Sequence, residues 1–154
     1  MSIERVTRTV RIAAPIDRVF GVLSSPEQTT KWLVGVRSVK VLTPGEIRVG
    51  SETVSNVDAL GRSWEARGRC AVLESPSRIV IETVMGPGFK SRSDSRLEAV
   101  TPSETLLHAE LAFERPGGPV GMLFNAFGAR ERIEQDFDTS IHNLQSFIES
   151  IGDV

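Results

Sequence analysis

The feature that most constrains this chain is its C-terminal end, roughly Val120 to Ile151, where apolar residues repeat with the period of one helical face. Leu123, Ala126, Ile133, Phe137, Ile141, Leu144, Ile148 and Ile151 recur at spacings of three, four or seven residues, the pattern of an amphipathic helix. Phe124 and Phe127 widen that stripe at its start and Phe147 at its end. Glu131, Arg132, Gln135, Asp138, His142, Gln145 and Glu149 fall largely on the opposite side. Pro119, after Gly117-Gly118, suits the first helical position, where its missing N–H costs nothing. At about 1.5 Å per residue the helix would run for about 45 Å, long enough to cross a small domain. A face this broad must be covered.

The preceding chain supplies strands. Ile3 to Ala13 alternates, with Val6, Val10 and Ile12 on one side and Arg5, Thr7, Thr9 and Arg11 on the other. Pro15 opens a short helix carrying Ile16, Val19, Phe20 and Leu23. Ser25-Pro26 starts a second, with Ser25 as N-cap and Gln28 at the capping-box position. Strand-like runs follow at Val36 to Leu42, Gly50 to Val57, Trp64 to Leu73, Arg78 to Met85, Phe89 to Val100 and Thr105 to Glu114. Gly- and Pro-containing turns separate them, which describes a meander of antiparallel hairpins. The expected fold is α+β: a curved antiparallel sheet wrapped around the long C-terminal helix, with two short helices after the first strand.

Composition narrows the class. The 154 residues are expected to form one domain, 1–154, with an ordinary 40% hydrophobic and 25% charged content. Eighteen basic against twenty acidic residues leave a net charge of -2, so nothing in the balance drives the chain toward nucleic acid. One cysteine and two histidines argue against a disulfide and against a Cys/His metal cluster. No signal peptide or apolar run long enough to span a bilayer is evident, and the expected location is the cytoplasm, without integral membrane association.

Several segments, in order, carry a family likeness. They are Ala14-Pro15 with Val19-Phe20, Ser25-Pro26-Glu27 followed by Trp32, Val49-Gly50, Gly61, Glu74-Ser75-Pro76 before Arg78-Ile79, and Leu97-Glu98-Ala99-Val100 before Pro102. Together they resemble the START-related (SRPBCC) superfamily, most closely its polyketide cyclase/dehydrase-like branch, across nearly the whole chain. The resemblance implies a helix-grip fold of the birch-pollen-allergen/START type, with an apolar cavity between sheet and helix. It implies fold more firmly than activity, because such folds host many functions.

Which side chains would face that cavity follows from strand alternation. Phe89, Ser91, Ser93, Ser95 and Leu97 share one face, and Lys90, Arg92, Asp94, Arg96 and Glu98 the other. Serines on the inner face, with Thr53 and Ser55 from another strand, suit a pocket of mixed polarity; the alternative is a partly solvated strand end. Trp32, Trp64, Phe113, Phe124 and Phe127 are candidate walls or ordinary core. Arg130 projects into the helical stripe at about 100° per residue. There it either holds a ligand oxyanion through its planar fork, or lays its stem across apolar surface while the guanidinium reaches solvent or pairs with a strand carboxylate.

No catalytic constellation emerges: there is no tyrosine, His108 and His142 fall away from the inner face, and Cys70 reads as a small core residue sharing a face with Ala66 and Val72. The expected function is binding of a small apolar or amphipathic ligand, without metal or cofactor and with a homodimer left open. A polyketide cyclase/dehydratase-like enzyme working mainly through orientation and a RatA-like protein-interaction module are the alternatives. An exposed apolar patch at Trp32 or Val34 would mark the last.

Overall fold

The computed structural model describes residues 3–59, 61–114, 118–119, 121–122 and 128–151. In chain order the elements are β1 (Ile3–Ile12), α1 (Ile16–Leu23), a 3₁₀ helix (Pro26–Lys31), β2 (Val36–Val41), β3 (Glu52–Ala59), β4 (Arg62–Glu74), β5 (Arg78–Met85), β6 (Phe89–Thr101), β7 (Glu104–Glu114) and α2 (Ala129–Ile151). The strands form one seven-stranded antiparallel sheet in the order β1-β7-β6-β5-β4-β3-β2. Neighbours in sequence from β2 onward are therefore neighbours in space, and short turns suffice. At the β5–β6 turn Gly86 takes φ +59, and a Cβ there would come 2.7 Å from the Trp64 ring. Both the backbone and the packing require glycine.

The sheet curves around α2, and alternation decides what it presents. Ile12 on β1 and Leu107 on β7 are fully buried, as are Leu144 and Ile148 on α2, and they join α1 residues Val19, Phe20 and Val22 in one cluster. Each such aliphatic side chain contributes about 1.5–3 kcal/mol on leaving water. A smaller cluster of Val6, Phe113 and Ala129 caps the other end. Thr105, also fully buried, donates its hydroxyl to the Ala14 carbonyl at 2.8 Å and so satisfies a group that burial would otherwise penalise. Among the described residues no helix is long and apolar enough to cross a membrane.

The structure departs from the expected elements in three places. Helix α2 begins at Ala129, because Gly128 takes φ +62, a left-handed conformation that interrupts a right-handed helix. Gly121 and Met122 are helical, but Leu123, Phe124, Ala126 and Phe127 lie outside the described residues. The helix is thus 23 residues long, about 34 Å. Second, Pro26–Lys31 is a 3₁₀ helix without a side-chain cap, and the Ser25 hydroxyl donates to Glu27 at 3.2 Å. Third, a β-bulge shifts the β4–β5 register between Cys70 and Val72. The extra residue reverses which side chains point inward, so Leu73, not Val72, continues the Cys70 face into the core.

Candidate ligand-binding cavity

Between sheet and helix lies a cavity of about 930 Å³, near the upper end of the range for small-molecule sites, roughly 300–1,000 Å³. Its floor is the concave face of β3, β5 and β6, where Thr53, Ser55, Thr83, Ser91, Ser93 and Ser95 lie among Ile79, Ile81, Met85 and Phe89. Its roof is α2, through Ile133, Phe137, Ser140, Ile141 and Leu144; Trp32, Leu33, Val34 and Ile47 stand nearer the loops.

Strand register sets the hydroxyls side by side. Thr53 pairs with Gly68, Gly68 with Thr83, and Thr83 with Ser91, one rung across four strands. A Cβ on Gly68 would sit 2.8 Å from Thr53 Oγ1, so the missing side chain is what admits that hydroxyl. Among the described residues no protein hydrogen bond engages the six floor hydroxyls. They open onto the cavity, where a ligand or water can satisfy them.

The mouth is tied to the roof. The Val34 N–H donates to the buried Ser140 hydroxyl at 3.0 Å, and Asn143 Nδ2 donates to the Trp32 carbonyl at 3.3 Å. Gln28 Oε1 on the 3₁₀ helix and Trp32 Nε1 just past its end are buried atoms with no hydrogen-bond partner among the described residues.

Of the candidates read from sequence, Trp32, Phe89, Ser91, Ser93 and Ser95 line this cavity. Arg130 does not. Its Nε donates to Glu4 at 3.1 Å and its NH1 to Glu134 at 3.0 Å, and the hydrogen bond to Glu4 raises its pKa further. Glu4 and Arg8 are the polar residues on the helix-facing side of β1, and Arg8 joins the network through Asp138 at 2.9 Å and Glu134 at 3.3 Å. Phe113 is core: it is 1% exposed, with its ring centroid 6.0 Å from that of Phe89. Trp64 sits beyond the cavity, its indole donating to the Ala59 carbonyl at 2.9 Å beneath the Arg62 guanidinium. Phe124 and Phe127 lie outside the described residues. Thr83 and Ser140 were not anticipated; the available signals were Thr83 in the alternation Ile79, Ile81, Thr83, Met85, and Ser140 as a lone hydroxyl on the apolar helix stripe.

Titratable groups are sparse inside. Cys70 is 1% exposed, and burial raises its thiol pKa, which keeps it protonated and unreactive near neutrality. His108 is on the outer face, 3.2 Å from Thr9 Oγ1, and His142 is exposed. The outer arginines are paired rather than forming a basic patch: Arg78 makes a two-pronged contact with Asp94 at 3.1 and 2.9 Å, and Arg92 lies 3.4 Å from Glu82.

A seven-stranded antiparallel sheet gripping a C-terminal helix over a cavity defines a START-like, helix-grip protein, a class that takes in ligand binders and polyketide cyclases. The family described as polyketide cyclase / dehydrase and lipid transport matches residues 4–149, and the chain belongs to it. Solved structures share the fold. The Zhui aromatase/cyclase from Streptomyces sp. R1128 has a TM-score of 0.78 and 19% identity over 99% of this chain and 100% of its own. A START superfamily protein from Mycobacterium smegmatis has 0.66 and 19%, over 95% of this chain and 94% of its own. Ara h 8.0201 has 0.70 and 11%, over 97% and 99%. No curated protein sequence matches this chain.

Proposed function

We propose that this protein binds a small amphipathic molecule in the cavity, with its hydrocarbon body against Phe137, Ile141 and Leu144 and its oxygens against the β3–β5–β6 hydroxyls. The observation that carries this reading is the row Thr53, Thr83, Ser91, without a hydrogen bond to the described residues and opening onto a space of about 930 Å³. A core built only for packing would place Val or Leu there. Binding is favoured over catalysis because the sheet floor offers hydroxyls, while the lining carboxylates stand at the rim, Glu27 and Glu46 exposed and Asp136 paired with Arg132. The cyclase reading retains support from the family and from the likeness to an aromatase/cyclase. An interaction module has less support, since Trp32 and Val34 are half-buried cavity residues rather than an exposed patch.

The test pairs native mass spectrometry of the purified protein, to detect a co-purified molecule, with titration of naphthalene-1,3-diol and 1-methylnaphthalene. Thr83→Val and Ser91→Ala each weaken the diol about 2- to 10-fold, the worth of one hydrogen bond, and leave the hydrocarbon unchanged. Equal losses for both probes, or no binding of either together with no co-purified mass, would overturn the proposal.

A further inference from the structure

The geometry points to a ligand that carries no negative charge where it lies in the cavity, so that this protein discriminates against carboxylates and takes their uncharged counterparts. This rests on the binding reading above and adds the chemistry that the same site selects.

The charges around the cavity have one dominant sign. Its described lining includes Glu27 on the 3₁₀ helix, Glu46 in the β2–β3 loop and Asp136 on α2, the last held by Arg132 at 3.3 Å. Glu52, Asp58, Arg69 and Glu110 also border it, but each alternates with an inward-facing neighbour and so directs its charge to the convex face, where Asp58 pairs with Arg37 at 2.6 Å. There Glu110 pairs with Arg5 at 2.9 Å, and Arg69 faces Glu82 at 3.9 Å. The arginines on the helix-facing side are committed elsewhere, Arg130 to Glu4 and Glu134, and Arg8 to Glu134 and Asp138. Among the described residues, none that lines the cavity aims a cation into it. Cys70 adds no charge, because its buried thiol stays protonated.

A carboxylate moving in would leave water, meet hydroxyl donors only, and pass acids at the rim. An ionised group so placed costs far more than a neutral one of the same shape. Repulsion by the rim acids Glu27 and Glu46 adds to that cost and is weakened by salt. An amide, ketone or alcohol meets the same hydroxyls without either penalty. A carboxylic acid should then enter chiefly as its protonated form, and its apparent affinity should fall about tenfold for each pH unit above its own pKa of about 4.

The experiment uses a matched pair, 2-naphthamide and 2-naphthoate, titrated into the full chain while the methyl signals of Ile79, Ile81 and Leu144 are followed by NMR. The expected result is about a thousandfold or more tighter binding of the amide at pH 7.5, with a gap that narrows about tenfold per unit as the pH is lowered toward 5.5. Equal affinities at pH 7.5, or a pH-independent gap, would overturn the charge selectivity and leave cavity binding standing. Should neither probe move those methyl signals, binding and selectivity fall together.

Discussion

Ser140 offers a direct test of how the cavity mouth is held. Its hydroxyl is 2% exposed and accepts the Val34 N–H at 3.0 Å, the bond that fixes the chain leaving the 3₁₀ helix against α2. Ser140→Ala removes the acceptor and leaves a partly buried amide unsatisfied, at a cost of about 1–3 kcal/mol. Alanine is the better helix former by about 0.5 kcal/mol at this interior position, so the net loss is about 0.5–2.5 kcal/mol. For a chain of this size that lowers the melting temperature by about 2–4 °C per kcal/mol. Urea unfolding measures the global loss, and amide hydrogen exchange measures its location. Val34 should exchange about fivefold or more faster, while the β6 and β7 amides change only in proportion to global stability. Ser140→Cys, similar in shape but a weaker acceptor, should fall between wild type and alanine. Unchanged stability together with unchanged Val34 exchange would refute the idea that this bond closes the mouth.

Two further outcomes follow from the ion pairs. Arg130→Ala should leave ligand affinity within about twofold, because the guanidinium is bound to Glu4 and Glu134 outside the cavity. The substitution should lower stability by an amount that shrinks as salt is raised; a tenfold loss of binding in a titration would show that Arg130 reaches the ligand. At Asp94, burial pushes the carboxyl pKa upward, but the Arg78 hydrogen bonds, with Arg78, Arg96 and Arg92 nearby, bring it below its ordinary 3.8. A depressed carboxylate stabilises the fold above its unfolded pKa and loses that contribution as the pH falls through the folded value. Asp94→Asn should therefore be less stable than wild type at pH 7, with the difference vanishing below the ordinary carboxylate range. A difference constant in pH, measured by urea unfolding, would refute the assignment.

How far the site was legible depends on which interval separates the residues concerned. Ser91, Ser93 and Ser95 could be placed with Phe89 and Leu97 because strand alternation has a period of two, and the cavity lies on that face. The roof stripe of Ile133, Phe137, Ile141 and Leu144 was equally local. Arg130 shows the limit: helical projection put it in the stripe, but its partner Glu4 is 126 residues away. Trp64 and Phe113 point to the concave side as expected, yet one lies past the end of the cavity and the other is sealed behind Phe89. The Cys70 bulge reversed the face of Val72, and period counting cannot foresee an inserted residue.

Sequence by itself determined the order of elements, the face side chains take wherever a strand or helix runs without a bulge, and through those the helix-grip class. Only the tertiary structure decided that a space remains between floor and roof, that Thr53, Thr83 and Ser91 share one rung across it, and that its arginine candidate is tied up elsewhere. The reason is physical. Backbone geometry sets side-chain direction within a few residues, whereas the distance between a sheet and its helix depends on every contact that packs them together.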